Sequence, residues 1–100
     1  MLTKKDIFTT IQLHKDDIKQ FGIKEIGLFG SYVRDEQTEK SDIDLLVEFY
    51  REKKNFKNFM GFCFYMDDLF NSKKIEVVTK KSLSEYIGPY ILKEVEYVEI

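Results

Sequence analysis

The 100-residue chain has one cysteine, one proline, no tryptophan and, on reading it through, no alanine. One cysteine excludes an internal disulfide and fits a reducing compartment. No apolar run approaches the roughly 20 residues of a membrane span. Met1-Leu2-Thr3-Lys4-Lys5-Asp6 leads into a stretch repeatedly broken by polar residues, unlike the apolar block of a secretory signal. The expectation is a soluble, cytoplasmic protein. Net charge is also slight: sixteen basic against eighteen acidic residues give −2, with a pI near 5.4. That balance argues against a domain that grips nucleic acid mainly through phosphates, so no direct nucleic-acid binding is expected.

What is present can fold. Hydrophobic residues make up 43% and charged residues 34%, outside the disordered range, and the length expects a single domain over residues 1–100. With neither Ala nor Trp, nine Phe, six Tyr and the aliphatic residues must supply most of the core.

The first twenty residues read as a helix capped by Thr3, with Ile7, Ile11, Leu13 and Ile18 roughly on one side. Phe21-Gly22 closes it. Glu25 to Phe29 reads as a strand ending at Gly30-Ser31, Ser31 to Glu36 as a short helix, and Gln37 to Ser41 as a polar loop. Asp42 to Phe49 is the strongest strand signal: Ile43, Leu45, Val47 and Phe49 share one face, and Asp42, Asp44, Leu46 and Glu48 the other. Asn55 to Phe70 reads as a helix rich in Phe and Met, and Ile75 to Thr79 as a third strand. A last helix runs from Leu83, capped by Ser82, interrupted near Gly88-Pro89 and resuming through Val95. The fold class expected is α+β (α/β-like), a small mixed sheet of about three strands flanked by helices.

Two features carry chemistry. Gly30 permits a tight turn and close approach of a bulky ligand, and Ser31 opens a helix whose free N–H groups and hydroxyl suit phosphate. Asp42 and Asp44, two apart on a strand, project their carboxylates from one face and repel each other unless a cation lies between them. Hard oxygen donors of this kind suit Mg²⁺, which borrows further ligands from a nucleoside triphosphate. If the first two strands pair antiparallel, Gly30-Ser31 lies beside Asp42 and Asp44. The Phe-rich helix can return the third strand parallel to the second, which brings Glu76 level with the acid pair and completes a two-metal cluster.

These residues resemble a known family. Gly30-Ser31-x-x-Arg34, six further residues, then Ser41-Asp42-Ile43-Asp44-Leu45-Leu46-Val47 is similar to the signature of the minimal nucleotidyltransferases, within the DNA polymerase beta-like superfamily. The likeness runs through the Phe-rich helix, the strand holding Glu76 and the tail Tyr86 to Val98. It implies a nucleotidyltransferase fold, ATP as substrate, two Mg²⁺ ions, and an antitoxin role beside a HEPN-family ribonuclease toxin. Characterised members transfer AMP to a tyrosine of that toxin. Gly30 and Ser31 match the family's triphosphate positions, and Asp42 and Asp44 its metal pair. Glu76 matches the third acid, where many relatives carry Asp. Arg34 has two readings, a phosphate ligand or a support paired to Asp35 or to a metal-site carboxylate.

Blander readings stand beside these. Asp42 and Asp44 alone could be a solvated strand start, Glu76 an exposed strand residue, and Ser41 a turn residue. Asp67-Asp68 is expected on a solvated helix face, His14 at the surface, and Cys63 in the core rather than acting as a nucleophile. Phe56, Phe59, Met60, Phe62, Phe64, Met66 and Phe70 form too wide a series for one stripe, so part is expected to face a partner protein. Against AMP transfer stands a non-catalytic antitoxin that neutralises its toxin by binding and occlusion.

Overall fold

The computed structural model describes residues 2–71 and 73–100. The elements run α1 (Lys4–Leu13), α2 (Lys15–Gln20), β1 (Ile23–Phe29), β2 (Ile43–Phe49), α3 (Phe56–Leu69), β3 (Ile75–Thr79), α4 (Gly88–Glu94) and β4 (Glu96–Val98). Short 3-10 turns occupy Arg51–Lys53 and Lys80–Ser82.

Thr3 does cap α1, as one half of a capping box. Its hydroxyl accepts from the Asp6 N–H at 3.2 Å while the Asp6 carboxylate accepts from the Thr3 N–H at 3.0 Å. The expected single helix is broken at His14, whose backbone leaves the helical region, so α1 and α2 are separate. Ile7, Ile11 and Ile18 are buried, but Leu13 at the break is 76% exposed, against the one-sided pattern read for it. His14 is half-buried rather than at the surface: its Nδ1 lies 2.9 Å from the Thr10 carbonyl and its ring meets Tyr65 edge-on. Gly22 ends α2 at φ +83°, where only glycine is relaxed.

The sheet has four strands in the order β3-β2-β1-β4. β1 pairs antiparallel with both β2 and β4, and β2 pairs parallel with β3. Period-two alternation gives the sheet two unlike faces. On one, Ile26, Leu28, Ile43, Leu45, Val47 and Phe49 pack against Ile7, Ile11 and Ile18 of the first helices and Phe62 and Met66 of α3. Each such buried side chain contributes about 1.5–3 kcal/mol. The other face holds a smaller cluster of Phe29, Leu46 and Ile91, so α4 covers it only in part. Asp44 alternates with Leu45 and therefore emerges on this second, thinly covered face.

Four expectations fail locally. Residues 31–35 form hydrogen-bonded turns rather than a helix. Val33 and Arg34 N–H both donate to the Gly30 carbonyl, Glu36 N–H donates to Ser31, and Asp35 turns out at φ +57°. Six residues are too few to meet the cost of helix nucleation by themselves, and only Tyr32 among them is buried. Ser82 ends a 3-10 turn instead of capping a helix, and Gly88-Pro89 begins α4 rather than interrupting it, since proline is tolerated in a first turn. The tail read as helix through Val95 ends at Glu94, and a fourth strand follows.

Within α3, Asn55 caps the start through its side chain, and Phe62, Met66 and Phe70 face the core while Phe56 and Phe64 stay exposed. Asp67 and Asp68 are exposed, as expected of a solvated face. Cys63 is half-buried, and burial pushes its thiol above the usual range, which suits packing rather than nucleophilic chemistry. Among the described residues no helix is long and apolar enough to cross a membrane.

Candidate active site

The antiparallel register places the end of β1 against the start of β2: Phe29 stands opposite Asp44, and Gly30 follows directly. The parallel register places Asp44 beside Glu76 on β3. Strand pairing alone therefore gathers the glycine turn and two of the three acids from separate stretches of chain. Asp42 lies one residue before β2, half-buried.

Contact at Gly30 is close. The residue is buried with φ +82°, and a Cβ built on it would stand 2.2 Å from Asp44 Oδ2 and 3.1 Å from its Cγ. No side chain other than hydrogen fits between this turn and the Asp44 carboxylate.

The electrostatics of Asp44 follow from its neighbours. Its pKa is pushed up to about 6, first by burial, then by the Glu76 charge, a hydrogen bond with Glu76 and the Asp42 charge, with Arg34 opposing. Burial and the nearby acids thus disfavour the charged form of Asp44 relative to a free carboxylate. Glu76 itself is exposed. Among the described residues no three His, Cys, Asp or Glu side chains converge as a ready cation cage, so the tight element is the Asp44–Glu76 pair with Asp42 alongside. The donor set nonetheless fits magnesium, since it offers hard oxygens only.

Arg34 is engaged on both sides. Its Nε donates to Glu36 at 2.8 Å, and its Nη1 donates to the two Glu94 carboxylate oxygens at 2.9 and 3.1 Å. Arg34 is thus paired, but with Glu36 and Glu94 rather than with Asp35 or an acid of the proposed metal site. Ser41 serves as a turn residue, its Oγ accepting from the Thr38 N–H at 2.8 Å. Ser31 is half-buried at the mouth of the turn.

Sequence reading missed Glu94, at the end of α4. Its Oε2 accepts the Gly30 N–H at 2.7 Å, so an acid 64 positions away holds the glycine turn. The signal for it lies in the β1–β4 register, which needed the short strand β4 to be found first.

A cavity of about 490 Å³, lined by Lys24, Tyr50, Arg51 and Lys80 among others, lies at the opposite end of the sheet and shares no residue with this cluster.

The nucleotidyltransferase domain family matches residues 11–98. The protein adenylyltransferase MntA of Thermococcus cleftensis is 39% identical over 99 residues, covering 98% of each chain. A solved minimal nucleotidyltransferase superposes with a TM-score of 0.71 at 22% identity, over 89% of this chain and 93% of its own. A toxin–antitoxin crystal structure with AMP-PNP superposes with a TM-score of 0.69 at 20% identity, over 92% of this chain and 72% of its own.

Proposed function

We propose, from the premise that this chain belongs to the nucleotidyltransferase domain family, that it is a Mg²⁺-dependent protein adenylyltransferase and the antitoxin of a toxin–antitoxin pair. In this reading AMP passes from ATP to a tyrosine hydroxyl of a HEPN-family ribonuclease toxin. The placement of Asp44 carries the reading: a carboxylate pressed on a left-handed glycine turn and paired with a second acid. The relative from Thermococcus cleftensis supports protein as acceptor, and the toxin–antitoxin structures support a toxin partner.

The chain's own groups divide the work. Gly30 keeps the turn free of side chain, so the β- and γ-phosphates can approach its backbone, and the Ser31 hydroxyl donates to them. Arg34 adds positive charge beside the acids. Asp42 and Asp44 would hold one magnesium ion, and a second would be shared with Glu76. Bound magnesium neutralises triphosphate charge and lowers the pKa of the acceptor hydroxyl. The acceptor oxygen attacks the α-phosphorus, the bond to the β-phosphate oxygen breaks, and pyrophosphate leaves. Glu76, exposed beside Asp44, receives the acceptor proton. Most of the catalysis is positioning and charge stabilisation, as in phosphoryl transfer generally.

The test is the intact mass of the protein encoded next to this chain after coexpression, with wild type beside an Asp42→Asn/Asp44→Asn double variant. A gain of one or more AMP units with wild type alone is expected. Copurification with no mass change would overturn transfer in favour of neutralisation by occlusion.

A further inference from the structure

The glycine turn is held from the far end of the chain. β1 and β4 pair Ile26 with Val98, Gly27 with Tyr97 and Leu28 with Glu96, so continuing this register two positions further sets Gly30 opposite Glu94. At that point strand pairing has ended, because Glu94 still belongs to α4. Its carboxylate takes the place of the missing ladder acceptor, receiving the Gly30 N–H at 2.7 Å. The same carboxylate receives Arg34 Nη1 on both oxygens, while Arg34 Nε is fixed on Glu36.

Glu94 is only 26% exposed and Arg34 48% exposed, so the acid is packed and the guanidinium faces solvent beside the acid cluster. Arg34 is close enough to Asp44 for its charge to oppose the rise in the Asp44 pKa. A flexible arginine on a five-residue turn would otherwise sample many rotamers, at a cost of up to about 2 kcal/mol to immobilise.

We infer that Glu94 is a positioning residue for nucleotide binding: it fixes the backbone of the glycine turn and aims the Arg34 guanidinium at the triphosphate. This inference rests on the nucleotidyltransferase reading. Glu94 touches neither substrate nor reacting atoms; it acts through Gly30 and Arg34. The arrangement also explains why the turn does without the helix expected there. A charge-assisted hydrogen bond from α4 supplies the rigidity that a helix N-terminus would have given.

The two jobs separate by substitution. Glu94→Gln retains an acceptor for the Gly30 N–H but loses the ion pair with Arg34; Glu94→Ala loses both. The measurements are the affinity for ATP with Mg²⁺ by calorimetry and the exchange rate of the Gly30 amide by NMR, on full-length protein. Glu94→Gln is expected to keep the amide protected and to weaken ATP binding. Glu94→Ala is expected to expose the amide and weaken binding by roughly tenfold or more, the scale of a lost hydrogen bond to a charged group. In an Arg34→Ala background the further effect of Glu94→Gln on affinity should largely vanish, because the two residues act as one unit. A merely structural role would lower melting temperature without that coupling.

Unchanged or tighter ATP binding in both Glu94 variants would overturn the inference, as would additive effects with Arg34→Ala. If wild type bound no ATP, the nucleotide reading would fall and the role in binding with it. The Gly30 amide would then still show whether Glu94 holds the turn.

Discussion

Replacing Gly30 with alanine tests the central contact of the site, because the structure divides its cost between stability and function. At φ +82° a non-glycine residue pays roughly 1–2 kcal/mol in backbone energy. The added Cβ would also stand 2.2 Å from Asp44 Oδ2, an overlap that must be relieved. The atom it meets is the far end of a side chain that can rotate, so relief comes from moving the carboxylate rather than the sheet. Displacing a catalytic group by about 1 Å costs on the order of a hundredfold in rate. The expected outcome is a melting temperature lower by roughly 4–16 °C and AMP transfer lower by about two orders of magnitude. Gly22→Ala is the control. It has the same left-handed backbone at φ +83°, but its Cβ would meet Lys53 Cβ at 2.3 Å, next to backbone, at the other end of β1. That variant should lose more stability and keep its transfer rate per folded molecule. Thermal melts read by circular dichroism, beside transfer followed by mass, decide the matter. Undiminished transfer in folded Gly30→Ala would refute the claim that Asp44 must lie against a bare turn.

The remaining predictions concern the acids and the residue beneath the turn. Because the folded pKa of Asp44, about 6, lies above the unfolded carboxylate value, its contribution is fully present below that lower value and is lost as pH rises from about 4 to 6. Asp44→Asn should therefore be more stable than wild type at pH 7 by on the order of 1 kcal/mol after solvent screening. The gap should close near pH 4 and narrow on adding Mg²⁺; melts that differ equally at both pH values would contradict this. Glu76→Gln alters an exposed side chain whose charge repels Asp44, so it should leave the fold no less stable at pH 7. If Glu76 is the proton acceptor, the same variant should slow transfer by roughly a hundredfold or more. Tyr32 is 1% exposed and its hydroxyl has no hydrogen-bond partner among the described residues. Tyr32→Phe should raise stability by about 1 kcal/mol in chemical denaturation, with transfer unchanged.

How much of this could be read from the chain depends on the range over which each feature is encoded. β2 was legible because Asp42 to Phe49 alternates cleanly, and the two carboxylates inherit their shared face from that alternation. Glu76 was legible one step removed: α3 is long enough to return the chain parallel, and the short β3 then leaves few registers, of which Glu76 beside Asp44 is the observed one. The segment 31–36 misled because a strand followed by Gly-Ser commonly opens a helix. Nothing local announces that Asp35 will adopt φ +57° and end the turn.

Glu94 was illegible for a different reason. β4 is three residues long, too short to show a period, and its sequence continues the charged pattern of α4. Its position is fixed only by the ladder with β1, which then sets the acid against Gly30. The chemistry-bearing signature thus occupies contiguous sequence, while the group that rigidifies it comes from the last helix. This separation has a physical logic. Within the turn Tyr32 packs into the core, but the Gly30 N–H finds its acceptor in none of the turn's own side chains. Its support has to arrive from an element that approaches from the other side of the strand, and in this sheet order that element is the C-terminal one. A chain shortened before α4 would keep every residue of the Gly-Ser and Asp-x-Asp signature and lose the brace.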